Sequence, residues 1–408
     1  MKVALLSRAA FPLHEPGGME RAVYQLARHL RAAGAETLLF TRPATRRGEF
    51  PGEVVSVPYG GLPLGRHGRV LDRSLNYPTF VSRLGRAVAA AVRAGRVDVV
   101  LAQGITALGY GRLRRRDPTL RAPLVMNPQG MEEHKARGWK RLALARLRAL
   151  SREAARLSDR VVATDEATRA EVPRHLDVSA ERVIVLPNAV DLEEVEAATP
   201  PDAAERVAVA YSPLAAASPI LLSVGRLEGY KGFEDVLQAL EKLHAERALG
   251  ATWAWVVVGD GPRRQALAQR IARAGLQRHV VLAGRVDETL LHSLYETADL
   301  FVHATRFEGS SLVTLEAMAH RLPVVATRAG GIPDKVVEGE TGRLVEPGDL
   351  EALANALAAV AADPRAARRM GEAGRARAAL HFAWPGVARR TKDALEALCR
   401  EAALGSSL

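Results

Sequence analysis

The chain has 408 residues, 48% hydrophobic and 25% charged, which excludes a disordered or fibrous polymer and is too long for one ordinary core, so two domains are expected. The net charge of +11 is uneven: residues 1–200 carry 32 Lys and Arg against 21 Asp and Glu, and the remainder carries 25 of each. The single cysteine, Cys399, excludes an internal disulfide and a cysteine-based metal cluster, and no run approaches the ~18 consecutive apolar residues of a membrane span.

The N-terminal M-K-V-A-L-L-S is too short for a signal-peptide core and reads as a first strand, so a reducing, cytoplasmic setting is expected. Apolar runs follow at Thr37–Phe40, Val54–Val57, Val97–Ala102, Leu124–Met126, Arg160–Ala163 and Val183–Leu186. Helical spacing lies between most of them, as in Glu20–Ala33 and Arg83–Ala94. This alternation is the rhythm of a parallel sheet covered on both faces by helices. It breaks in the Ala- and Pro-rich stretch 199–218, the expected linker. It restarts with runs at Ile220–Val224, Trp253–Val258, Val280–Ala283, Leu300–Ala304, Leu322–Ala326 and Arg343–Val345. Helical segments are expected at Glu234–Leu249, Arg263–Ala274, Glu288–Thr297, Leu312–His320 and Leu350–Ala362. The expected organisation is a first domain over 1–205, a second over 206–375, and a helical tail over 376–408 that packs back on the first.

The basic excess includes Arg112–Arg116 and a helical pattern from Arg137 to Arg160, where Ala143, Leu147, Leu150, Ala154 and Leu157 recur at 4-3-4-3 spacing. A solvated charged face is the ordinary reading, and peripheral contact with an anionic membrane is the functional one.

Several loops after strands carry chemistry. Gly17-Gly18 follow the first strand in a long loop and let backbone approach a ligand. Gln129-Gly130 and His134 follow the fifth apolar run, where polar groups could meet a sugar. Gly225 to Gly232, G-R-L-E-G-Y-K-G, places Arg226 and Lys231 on a glycine-rich turn, two cations suited to a diphosphate. The alternative there is a surface Arg226–Glu228 pair of little energetic consequence. The Walker pattern and G-x-G-x-x-G are absent. So are D-x-D and G-x-S-x-G, which disfavours a metal-dependent or serine hydrolase.

The stretch Arg306–His320, R-F-E-G-S-S-L-V-T-L-E-A-M-A-H, follows an apolar strand through a small-residue turn into a helix. The helix N-terminus offers its free backbone N–H groups, a seat for a phosphate. Glu308 lies in the turn and Glu316 about one helical turn on, leaning back toward the N-terminus. Carboxylates accept hydrogen bonds from sugar hydroxyls, so phosphate donors beside two such acceptors point to a nucleotide-sugar site.

With these residues, the sequence resembles the retaining glycosyltransferases of family 4, of the GT-B fold: two Rossmann-like doubly wound α/β domains facing a central cleft. The likeness runs through S-V-G-R-L-E-G-Y-K-G from Ser223, V-V-G-D-G-P from Val257, A-G-R-V from Ala283, R-F-E-G-S-S-L-V-T-L-E-A-M-A from Arg306, R-A-G-G-I-P-D from Arg328 and T-G-R-L-V-E-P-G-D from Thr341. P-G-G-M-E from Pro16 and L-P-N-A-V-D from Leu186 extend it into the first half. The resemblance implies that Arg226 and Lys231 bind the donor diphosphate, Glu308 the donor sugar and Glu316 the ribose. It also implies that Ser310, Ser311, Leu312 and Val313 cradle the phosphate, Arg285 and Val286 lie near the base, and Gly17 and Gly18 approach the donor.

The sequence departs from the family where a common His is replaced by Gln129; His134 is a candidate substitute. The expected function is metal-independent, retaining transfer of a hexose from a UDP- or GDP-linked sugar to a glycan, lipid or small-molecule acceptor. No cofactor and no nucleic acid are expected. The alternatives are a sugar-nucleotide epimerase or phosphorylase of the same fold, and a basic non-catalytic binding module.

Overall fold

The computed structural model describes the chain apart from residues 16, 61–68, 129–130, 132–133, 135–137, 139–141, 143 and 406–408. The chain divides into two units, one of Met1–Asn188 with Trp384–Leu408, the other of Ala189–Ala383.

The first unit holds a seven-stranded sheet: β1 (Lys2–Leu6), β2 (Glu36–Thr41), β3 (Glu53–Ser56), β4 (Val99–Gln103), β5 (Leu124–Asn127), β6 (Arg160–Ala163) and β7 (Val183–Val185). Their order is β3-β2-β1-β4-β5-β6-β7, and every pairing is parallel. The apolar runs are buried on both faces, as a parallel sheet between helices requires. Ala4, Leu6, Phe40 and Val100 enter one core, and Val3, Leu5, Leu39 and Leu101 the other. The helix Arg69–Arg93 is longer than its expected span and continues through Pro78.

The last helix, Trp384–Gly405, belongs to this unit. Its Leu395 and Leu398 join the core cluster of Val23, Ala27 and Leu30 from the helix Gly18–Ala32, and Trp384 stacks on His29 with ring centroids 6.1 Å apart.

The second unit holds β8 (Ile220–Val224), β9 (Ala254–Val258), β10 (Val280–Gly284), β11 (Leu300–His303), β12 (Val324–Thr327) and β13 (Gly342–Val345). The order β10-β9-β8-β11-β12-β13 is again wholly parallel. Counting the strands of this unit from one, the order is 3-2-1-4-5-6. The sheet therefore reverses direction of growth between β8 and β11, and in such sheets ligands bind beyond the strand ends at that switch point.

Two expectations need correction. The stretch 199–218 is not an open linker: it forms the helix Ala203–Ala210 and a short turn Ser212–Ala216. Val207 and Leu214 are buried in the second unit's core together with Val195, so an apolar periodicity held the segment down despite its prolines. The division accordingly falls after Asn188 and not at 205/206. On the return, the helix Pro364–Phe382 stays in the second unit, with Ala378 and Phe382 in its core, so the crossing comes at Trp384 and not at 376.

Candidate active site

The loop after β8 is shaped by two glycines. Gly225 takes φ +158 and donates its N–H to the Val258 carbonyl at 2.9 Å. Gly232 takes φ +72, and a Cβ there would lie 1.8 Å from the Ala304 carbonyl oxygen at the end of β11. No side chain fits that approach, and glycine also meets the left-handed backbone at least cost. The β8 and β11 loops are then stitched together. The Arg306 N–H donates to the Tyr230 carbonyl at 2.7 Å, and the Thr305 hydroxyl to the same oxygen at 3.1 Å. The Arg306 guanidinium forks onto both oxygens of Asp235, at 3.0 and 2.8 Å.

This stitching carries Lys231 to Glu308. Lys231 Nζ lies 2.6 Å from Glu308 Oε2, with both side chains largely buried at 15% and 13% exposure. His303, on β11 and 3% exposed, donates Nε2–H to the same oxygen at 2.8 Å. An ionised carboxylate only accepts, so Nε2 carries the proton. Burial alone would raise the Glu308 carboxyl. The hydrogen bond from His303 and the charge of Lys231 outweigh it and hold the group down at about 2. From behind, Gly330 at φ +52 leaves room for the Glu308 carbonyl, 2.0 Å from where a Cβ would sit, and the Gly331 N–H donates to Gly309 at 3.1 Å.

A carboxyl held below its usual 4.5 lends stability that is fully present above about pH 4.5 and is lost as pH falls through about 2. Glu308→Gln is therefore expected to cost on the order of 3 kcal/mol at pH 7. It should also flatten the acid limb between pH 4.5 and 2 in denaturant titrations. Parallel curves for variant and wild type across that window would show that the pairing stores no such energy.

Next comes the helix Leu312–Ala319. Its N-cap Ser311 makes no side-chain cap, because its hydroxyl bonds to Thr314 Oγ1 at 2.7 Å. The first N–H groups of a helix have no intrahelical partner and here gain none from the cap residue. Beside them the Ser310 hydroxyl oxygen is buried and has no hydrogen-bond partner. One turn on, Glu316 Oε2 accepts from the Tyr295 hydroxyl at 3.0 Å. Together these groups make a positively polarised pocket with an orphaned hydroxyl, flanked by two held carboxylates.

Arg226 is on the Lys231 loop but is 73% exposed, and it pairs with Glu228 at 2.5 Å. Arg285 is exposed just past β10; Val286 packs on the same apolar cluster as Leu312 and Val313. Gly17 and Gly18 begin the helix Gly18–Ala32 in the first unit, Gly17 with extended backbone against the Glu20 carboxylate. Gln129 lies outside the described residues. His134 is half-buried, its ring centroid 5.4 Å from that of His175, and burial and that neighbour push it down to about 4.

Part of the basic stretch is paired with carboxylates where it is described. Arg112 forks onto Glu153 at 2.7 and 2.6 Å, Arg114 pairs with Asp159, and Arg156 reaches Asp177 at 3.3 Å. The helix there covers Ala145–Leu157, and Arg137, Trp139, Arg141 and Ala143 lie outside the described residues. Among the described residues no helix is long and apolar enough to cross a membrane.

His303, Asp235 and Tyr295 were not singled out by sequence. His303 alone left a signal, an imidazole inside an otherwise apolar strand. A separate cavity of about 740 Å³ lies at the other end of the helix Leu312–Ala319, lined by Val195, Glu196, Glu296, His320 and Arg375 among others, and shares none of the residues of the pocket.

Two parallel doubly wound sheets, with a phosphate-type seat at the second one's switch point, define the GT-B class of fold. A sucrose-phosphate synthase structure from Thermosynechococcus elongatus superposes on 97% of this chain and 98% of its own with a TM-score of 0.75; at 23% identity the likeness is one of fold.

The model of "Glycosyltransferase Family 4" matches residues 16–194, and that of "Glycosyl transferases group 1" residues 211–377. The "D-inositol 3-phosphate glycosyltransferase 2" of Catenulispora acidiphila is 30% identical over 425 residues, 96% of this chain and 94% of that protein. A "Glycogen synthase" of Mycobacterium tuberculosis is 31% identical over 270 residues, 66% of this chain; the match spans 62% of that protein's length. The chain belongs to glycosyltransferase family 4, in the glycosyl transferases group 1.

Proposed function

We propose that the protein transfers a hexose from a nucleoside-diphosphate sugar to an acceptor hydroxyl, with retention at the anomeric carbon and without a metal. The observation that carries this reading is the meeting of Lys231, Glu308 and His303 beside an uncapped helix N-terminus. A cation and open N–H groups suit a departing diphosphate, and a buried ionised carboxylate suits a sugar hydroxyl. D-x-D, the usual metal-holding spacing, is absent, and Lys231, Arg226 and the helix start supply the positive charge instead.

In the step proposed, the acceptor oxygen bonds to the anomeric carbon from the face the diphosphate leaves. The bond from that carbon to the β-phosphate oxygen breaks, and the acceptor's proton passes to the departing phosphate. Stabilisation is electrostatic and acts on the charge that develops on the leaving group. The relatives are named a D-inositol 3-phosphate glycosyltransferase and a glycogen synthase, which supports a hydroxyl acceptor for this chain.

The test is a thermal-shift panel of UDP- and GDP-linked hexoses, followed by turnover of the best binder with the anomeric configuration of the product read by NMR. Initial rates are expected to be unchanged by EDTA. A loss of about tenfold or more that Mg²⁺ or Mn²⁺ restores would show that a metal is required. An inverted product would exclude the same-face step. Conversion without any acceptor would favour an epimerase.

A further inference from the structure

We propose that Tyr295 positions Glu316 to read the ribose of the bound nucleotide, and so sets the preference for ribonucleotide over deoxyribonucleotide donors. This rests on the reading of the pocket as a nucleotide-sugar site with Glu316 on the ribose.

Tyr295 lies on the helix Glu288–Thr297, 21 residues before Glu316 in sequence, and is fully buried. Its hydroxyl donates to Glu316 Oε2 at 3.0 Å. The ring cannot swing away from that contact. One neighbour is the Phe301 ring, with centroids 5.8 Å apart; another is His320, stacked at 5.2 Å with the planes within 7°. His320 is itself held at both nitrogens, by His292 at 2.9 Å and by Glu296 at 3.1 Å. The phenol is therefore a fixed donor at the end of a rigid stack. Burial, with the Glu316 charge beside it, pushes its ionisation well above the ordinary tyrosine range, so it remains a donor at every working pH.

Glu316 sits one turn into the helix whose start forms the phosphate seat. The Tyr295 bond occupies one of the roughly four acceptor positions of a carboxylate and fixes the rotamer that aims the others. Fixing it in advance removes an ordering cost on binding. It also sharpens selection: a half-buried acceptor held toward a hydroxyl is left unpaired when the ligand lacks that hydroxyl, and sites built this way discriminate strongly. Without the bond from the phenol the carboxylate would be held less firmly toward the ribose, and the analogue would be rejected less.

Tyr295→Phe removes only the hydroxyl and keeps the ring against Phe301 and His320. The probes are UDP and GDP, each with its 2′-deoxy and 3′-deoxy counterpart, measured by calorimetry, and the matching sugar nucleotides in kinetics. Wild type is expected to bind UDP or GDP about 100-fold more tightly than at least one deoxy form. Tyr295→Phe should bring that ratio below about tenfold and raise the donor KM about tenfold, with kcat within about twofold. A packing defect would instead lower the melting temperature and leave the ratio intact. Should Tyr295→Phe fail to fold, His320→Leu, which removes the ring stacked on Tyr295 and leaves Glu316 in place, should lower the same ratio, and an unchanged ratio would overturn the proposal.

If Glu316→Ala loses the ratio and Tyr295→Phe keeps it, Tyr295 does not position Glu316, while the donor reading survives. If both keep it, or wild type binds neither nucleotide, the assignment of Glu316 to a ribose fails and takes this proposal with it.

Discussion

Replacing Arg226 and Lys231 together by alanine is expected to lower kcat by roughly 10³-fold or more, the scale seen when preorganised charge is removed from a leaving group. The two cations are not equivalent. Lys231 is largely buried and rests on Glu308 at 2.6 Å, so it is already in place and already desolvated. Its charge acts where water is scarce, and there an interaction is worth several times its aqueous strength. Arg226 is 73% exposed and turned to Glu228. Exposed pairs of that kind are worth little, so releasing Arg226 to a diphosphate costs little.

The single variants should accordingly rank in that order: Lys231→Ala losing about 10²-fold or more in kcat and Arg226→Ala about tenfold. Lys231→Ala also removes the cation beside a buried carboxylate, so its melting temperature should fall, while that of Arg226→Ala should not. Initial rates at saturating donor, with a melting curve for each variant, separate the two effects. A double variant that transfers sugar at the wild-type rate would remove the diphosphate role from both residues.

The largest effect on stability is expected from Gly232→Ala. The new methyl would sit 1.8 Å from the Ala304 carbonyl oxygen and 2.5 Å from its carbon, both backbone atoms that no rotamer change can move. The β8 loop would have to part from the β11 loop. With it would go the bonds from Arg306 and Thr305 to the Tyr230 carbonyl and the reach of Lys231 to Glu308. A loss of about 3–5 kcal/mol, or no folded second unit, is expected.

Gly275→Ala is the internal control. Gly275 has nearly the same φ, +71 against +72, but nothing within 4 Å of its would-be Cβ. It should cost only the ~1–2 kcal/mol of a left-handed non-glycine residue. Denaturant titrations of the two variants should differ by the cost of the close approach alone; equal losses would mean that the two loops yield to each other freely.

The sheets were nearly all legible from the sequence, because a strand buried on both faces must be a short continuous apolar run. Arg160–Ala163, Ile220–Val224, Glu288–Thr297 and Leu350–Ala362 fall on the residues expected. The segment 199–218 misled because its prolines interrupt the helical spacing, although Ala203, Val207 and Leu214 are buried and Tyr211 and Ala217 pack against the same core. In the pocket, spacing brought out Glu308, Glu316 and the helix start, since all lie within a few residues of one turn. It could not reveal that Lys231 meets Glu308 across 77 residues, or Arg306 meets Asp235 across 71, because those distances depend on which strands are neighbours. Tyr295 was hidden for a further reason. A tyrosine on an apolar helix face looks like core, and it is core apart from one oxygen atom.

The second unit is inserted in the chain between two parts of the first. During synthesis it is complete before the first unit is. Residues 189–383 have all been made when the first sheet still lacks Leu395 and Leu398, which close over Val23, Ala27 and Leu30. Domains that emerge early ordinarily fold early. Here the order of emergence and the order of completion are opposed. The half begun first is the last to be sealed, and until then Val23, Ala27 and Leu30 lack the cover of Leu395 and Leu398.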